Sequence, residues 1–124
     1  MGIWLIRIGA IYFGIGVLLG YYMSVTHNPA LAGVHAHVNL LGWAALMIAG
    51  ILYYLFPALA SNGWAKAHVW LHNIGLPLMM IFLALNLTTG NPAFGPWIAI
   101  GATLTVLGIL AFVINILANL KPKR

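Results

Sequence analysis

Histidine is the one strong metal-binding side chain in this sequence. There are five histidines, no cysteine, and no aspartate or glutamate, so metal ligation falls to imidazole, with weaker help from methionine, tyrosine or backbone oxygen. His35 and His37 stand in Val34-His35-Ala36-His37-Val38-Asn39-Leu40-Leu41-Gly42-Trp43, at the head of a long apolar stretch. Ionisable side chains are expensive there and usually mark function. On a helix, positions two apart point about 200° away from each other. One ion cannot easily be gripped by both rings, but two sites on opposite faces could be. His68 and His72, in Ala67-His68-Val69-Trp70-Leu71-His72-Asn73, are four apart and share one face. That spacing suits a metal, as in HExxH motifs, although the catalytic glutamate is missing. The other account of this pair is hydrogen bonding at the membrane boundary or between helices. His27 completes the set, in a short connection close to the first pair.

The same composition removes other chemistry. Without carboxylates there is no conventional general acid and base pair for hydrolysis. Without cysteine there are no disulfides, thiolate ligands or iron–sulfur clusters. The 124 residues are 64% hydrophobic and 4% charged, against about 25% charged in a soluble domain. The chain therefore reads as an integral membrane protein.

The elements that must carry the histidines follow from the hydropathy. Four apolar segments, about 3–25, 34–56, 65–87 and 94–120, each reach the ~20 residues that cross a bilayer as a helix. Turn signals separate them: Thr26-His27-Asn28-Pro29, Pro57 to Gly63, and Thr88-Thr89-Gly90-Asn91-Pro92. Connections this short make neighbouring helices antiparallel. The expected fold is a single all-α transmembrane domain over 1–124, a four-helix bundle. The first segment has too long an apolar run, and no small-residue cleavage site, for a signal peptide, so it is expected to be retained.

Charge sets the orientation. Arg7, Lys66, Lys121, Lys123 and Arg124 all fall on the side shared by the two termini and the second loop. The positive-inside rule makes that side cytoplasmic, as in a bacterial-type inner membrane. This basic group is too small to suggest nucleic-acid binding. Arg7 lies about one turn inside its apolar run, where it either snorkels outward or meets an acidic group from outside the protein. In this orientation His27, His35 and His37 lie toward the outer face and His68 and His72 toward the inner one. The rise of 1.5 Å per residue separates the two groups by roughly 20–25 Å. Glycines at 9, 14, 16 and 20 offer small-xxx-small contacts, and Pro77 predicts a kink in the third segment. Tyr53, Tyr54, Trp4 and Trp97 read as interfacial anchors, and the methionines read mainly as fillers.

The order His35-x-His37, Leu41-Gly42-Trp43, Gly50, Tyr53-Tyr54, Pro57 resembles the tenth transmembrane helix of haem–copper oxidase catalytic subunits. It is most similar to the C-type cytochrome c oxidase branch and the related nitric oxide reductases. His68-Val-Trp70-Leu71 and Gly75 resemble the opening of the next helix there. The likeness covers about half the chain, mainly residues 35–75. By position, His35 resembles the family's ligand to the high-spin haem and His37 its ligand to the low-spin haem. The resemblance thus implies haem b, with copper as a further candidate. It implies haem propionates held by Arg7 or Lys66 at an inner site, or by backbone, Asn39 and Trp43 at an outer one. The family's remaining ligands lie on helices that four spans do not include, so complete reduction of oxygen or nitric oxide by one chain is not expected. The family subunit is similar to three arcs of four helices, and this chain has the length of one arc. That implies a homo-oligomer, trimer or dimer, whose symmetry supplies the missing ligand.

The leading expectation is a membrane b-type haem protein serving electron transfer or diatomic gas binding. Any enzyme activity would be an oxidoreductase reaction of the oxidase or nitric oxide reductase type, with an electron donor or oxidase subunits as partners. The alternatives are a haem or copper transport or assembly factor, and a non-catalytic subunit of a respiratory oxidase complex. Met23, Met47, Met79 and Met80, between histidines at both faces, motivate the transport reading.

Overall fold

Backbone polar groups in hydrocarbon have no water to bond, so a spanning segment must satisfy them internally as a helix. The computed structural model, which describes residues 1–122, shows this for four segments. They are α1 (Gly2–Thr26), α2 (Ala32–Leu55), α3 (Gly63–Thr89) and α4 (Gly95–Asn119). All four are long and apolar enough to cross a membrane, and no strand occurs among the described residues. Each boundary lies within two residues of the expected one. Lys123 and Arg124, two of the five cationic residues behind the orientation argument, lie outside the described residues.

The helix ends have local causes. His27 terminates α1 in a left-handed conformation, φ 53°, just before Asn28-Pro29. Phe56 precedes Pro57 and is driven out of helical geometry, φ −124° and ψ 84°. A one-turn helix, Pro57–Ala60, then leads to Asn62. The Asn62 side chain caps α3 by accepting from the Ala65 N–H at 3.1 Å. Gly90, φ 68°, closes α3 with the left-handed residue that glycine provides without strain. Pro77 lies inside α3, which stays helical from Gly63 to Thr89.

A break in regularity falls in α2. Val38–Ala44 forms a π segment, in which hydrogen bonds reach back five residues. The Ala45 N–H, which an α-helix would give to Leu41, bonds to the Leu40 carbonyl. The Leu41 carbonyl is thereby passed over and left for another donor. Single turns of this kind are frequent at functional sites.

Packing is closest between α1 and α2 and between α3 and α4. Glycine makes it so. A methyl group added at Gly16 would lie 2.5 Å from Asn39 Oδ1, and one at Gly42 would lie 2.5 Å from the Tyr12 ring. Across the second pair, an added Cβ at Gly75 would meet Thr105 N at 2.6 Å, and one at Gly101 would meet Met79 N at 2.5 Å. Gly14 is different: nothing lies within 4 Å of its added Cβ, so it takes no part in helix contact. Two apolar clusters fill the space between helices. One is centred on Leu5, Leu46, Ala49 and Leu59, the other on Val34, Val38, Leu76 and Met79. Large apolar side chains such as Leu18 and Leu117 point outward, 70% and 80% exposed.

Candidate functional site

The histidine pair at the start of α2 is split by the helix, as its spacing requires. His35 is half-buried and faces α1, with its Nε2 against Gly20. Asn39, one turn on, faces the same helix at Gly16 and donates from Nδ2 to the His35 carbonyl at 2.8 Å. Trp43 continues this side and packs on Phe13, with ring centroids 4.4 Å apart. His35, Asn39 and Trp43 therefore line the α1 interface, four residues apart. The approach of Gly20 leaves no room for a flat macrocycle beside the His35 Nε2 unless α1 moves aside.

His37 is exposed on the other side of the helix. Its Nδ1 lies 2.7 Å from the Gly33 carbonyl, one turn back. A carbonyl only accepts, so the ring proton sits on Nδ1 and, in the neutral ring, Nε2 presents a bare lone pair outward. Metal-binding histidines are commonly oriented by such a bond from the second nitrogen. Gly33 is exposed, and a Cβ added there would make only an ordinary contact with the Leu87 side chain at 3.9 Å.

His68 and His72 do not stand apart as a site at the inner face. Both are buried, 1% and 0% exposed, and they belong to a hydrogen-bonded row between helices. The Tyr53 hydroxyl lies 2.7 Å from His68 Nδ1, and His68 Nε2 lies 3.1 Å from His72 Nδ1. His72 Nε2 lies 2.9 Å from the Leu41 carbonyl, the one released by the π segment. These bonds occupy all four ring nitrogens, and a metal ion there would have to break at least one. Tyr53, 3% exposed, is thus not an interfacial anchor; Tyr54, 63% exposed, does face outward.

The depth expected for this pair also changes. Leu41 is four residues from His37, about 6 Å of helix rise, and the His72 ring touches it. The separation between His72 and the outer pair is therefore much shorter than 20–25 Å. The His72 imidazole reaches beyond the depth of its own Cα to meet the Leu41 carbonyl.

A third polar group was not singled out from sequence. Asn115 of α4 is fully buried and donates to the Leu59 carbonyl at 2.8 Å. Its Oδ1 accepts from Asn62 and from Asn119, each at 2.9 Å. The cluster ties the Pro57–Ala60 turn to α3 and α4. Its only sequence signal is the four-residue spacing of Asn115 and Asn119 in a segment otherwise apolar. Beside the histidine row lies an apolar groove of about 380 Å³, lined by His68, His72, Leu41, Ala45, Ile109 and Phe112.

The remaining candidates stay separate. Arg7 is exposed near the start of α1 and places its guanidinium over the Trp4 ring, 5.4 Å from the centroid. Gly2 of the same helix meets Gly50 and Tyr54 at the far end of α2. Arg7 is accordingly at the opposite end of the helix pair from His37. His27 is exposed at the end of α1. Among the described residues no three histidines or other strong ligands converge on one point. No family model, curated protein or solved structure matches the chain.

Proposed function

We propose that this chain is a multi-pass membrane protein that binds b-type haem through His37, with a second copy of the chain supplying the opposite axial ligand. The four spans then form an antiparallel bundle in a bacterial-type inner membrane, with both termini on the cytoplasmic side, where Arg7, Lys66 and Lys121 fall. The observation that carries the reading is the state of His37. With its Nδ1 proton on the Gly33 carbonyl, the ring turns Nε2 outward as an unpaired acceptor, an arrangement that is expensive in lipid without a ligand. Iron at Nε2 removes that cost. The surroundings fit a flat group: Gly33 precedes His37 by one turn, Leu40 follows it, and both are exposed.

A ligand on the outside of one protomer requires a partner. A symmetry axis along the membrane normal repeats His37 at a single depth, so two copies bring two such rings face to face. Bound haem iron supplies one-electron transfer, or a diatomic-gas site where the sixth position stays open. His35 and Asn39 hold α1 against α2 and so fix the rotation of the helix that presents His37. Optical absorption tests the reading. Protein purified from haem-replete cells, or titrated with haemin, should show a Soret band, and His37→Ala should lose it while the far-ultraviolet helical signal stays. Protein that takes up no haem, or a His37→Ala variant with an unchanged spectrum, overturns it.

A further inference from the structure

The row through His68 and His72 has a direction. The Leu41 carbonyl can only accept, so His72 carries its proton on Nε2. A second proton on either ring would be a buried charge with no carboxylate in the chain to balance it. His72 Nδ1 is therefore an acceptor, and His68 must donate to it from Nε2. His68 Nδ1 is then bare, and the Tyr53 hydroxyl donates to it. Every donor in the row points from Tyr53 toward Leu41. The positions are fixed at both ends, by burial of Tyr53 and by the carbonyl that the π segment frees.

We propose that Tyr53, His68 and His72 form a proton relay that takes one proton from the Asn62–Asn115–Asn119 end of the chain and holds it at His72, beside the apolar groove between α2 and α4. The balance is simple. A proton arriving at the Tyr53 oxygen releases the hydroxyl proton to His68 Nδ1. His68 passes its Nε2 proton to His72 Nδ1. The net result is one proton moved, held as a His72 imidazolium whose Nε2–H still bonds to Leu41. No bond other than N–H and O–H changes, and no oxidant or reductant is consumed. The row runs from the Tyr53 oxygen through two rings to the Leu41 carbonyl, joined by hydrogen bonds of 2.7, 3.1 and 2.9 Å.

The surroundings suit the role. Asn115, buried and bonded to Asn62 and Asn119, is also a neighbour of the Tyr53 hydroxyl. It continues the polar path to the half-buried Asn62 and Asn119. At the other end both histidine rings line the apolar groove, so the proton stays on His72. Among the described residues no other titratable group faces the pair. From α2 there is Tyr53, from α4 the Phe112 ring at 4.7 Å from His68, and α4 itself contains no titratable residue. Tyr12 of α1 packs on Gly42. The proposal stands independently of haem at His37.

Solid-state NMR of ¹⁵N-histidine-labelled full-length protein in bilayers tests it, without need of a cofactor. The expected result at neutral pH is the Nε2–H tautomer for both His68 and His72, with a scalar coupling across the Nε2–H···Nδ1 bond. Acidification should add one proton that both rings sense together. Tyr53→Phe, which removes only the hydroxyl, should keep both tautomers and slow exchange of the shared His68–His72 proton by about tenfold or more, the ratio that loss of one hydrogen bond can produce. An Nδ1–H tautomer at either ring overturns the proposal. So does independent titration of the two rings, or a Tyr53→Phe exchange rate equal to wild type.

Discussion

The histidine row makes a quantitative prediction through a double-mutant cycle. Leucine replaces histidine with similar bulk and no hydrogen bonds. In His68→Leu, the Tyr53 hydroxyl loses its acceptor and His72 Nδ1 loses its donor, leaving two polar groups unpaired. In His72→Leu, His68 Nε2–H and the Leu41 carbonyl are stranded, again two. In the double variant only the Tyr53 hydroxyl and the Leu41 carbonyl remain, so the double loss is no worse than either single one. Each unpaired buried group costs about 1–3 kcal/mol. The expected coupling is therefore two groups' worth, about 2–6 kcal/mol. In a membrane the unfolded chain finds other partners, which favours the lower end, about 2 kcal/mol. Reversible unfolding in mixed detergent micelles, followed by circular dichroism, measures all four corners of the cycle. Additive single variants, with coupling below about 0.5 kcal/mol, would refute the directional row.

Other outcomes follow from packing and from the site. Gly101→Ala places a methyl group 2.5 Å from Met79 N, a backbone atom that cannot turn away, and should destabilise by about 1–3 kcal/mol. Gly14→Ala meets nothing within 4 Å and should be neutral in the same unfolding assay. Asn115→Leu removes the acceptor of the Asn119 amide and one partner each of the Asn62 amide and the Leu59 carbonyl, which still bond to each other at 3.2 Å. It should cost about 1–2 kcal/mol and shorten hydrogen-exchange protection of the Pro57–Ala60 turn. Arg7→Gln, at the opposite end from His37, should leave haem absorption unchanged while lowering protein yield in the native orientation.

Much of the fold was legible because lipid leaves so few solutions. Hydropathy, Pro57, Gly90 and the Asn-Pro breaks located all four helices to within two residues. The opposite aims of His35 and His37 were legible too, since a two-residue step on a helix allows little else. What escaped was what depends on contact. Leu40-Leu41-Gly42 carries no mark of the π segment, because the wide turn arises from how α2 meets α1 and α3. Tyr53 and Tyr54 are adjacent and chemically alike, yet one is buried on His68 and the other faces outward; only the rotation of α2 decides between them. For His68 and His72 the shared face was legible. That they bond to each other, to Tyr53 and to Leu41 depends on the neighbouring helix. Asn62, Asn115 and Asn119 were passed over because a single asparagine in an apolar run says nothing of its partners.

The central claim rests on the outward Nε2 of His37. Low-temperature electron paramagnetic resonance of the oxidised, purified protein tests it most directly. A ferric haem between two imidazoles from symmetry-related copies should give the widely spread low-spin signal of bis-histidine ligation, and His37→Ala should abolish that signal while His68→Leu leaves it in place. A protein without haem iron, or a low-spin signal that survives His37→Ala, would contradict the account.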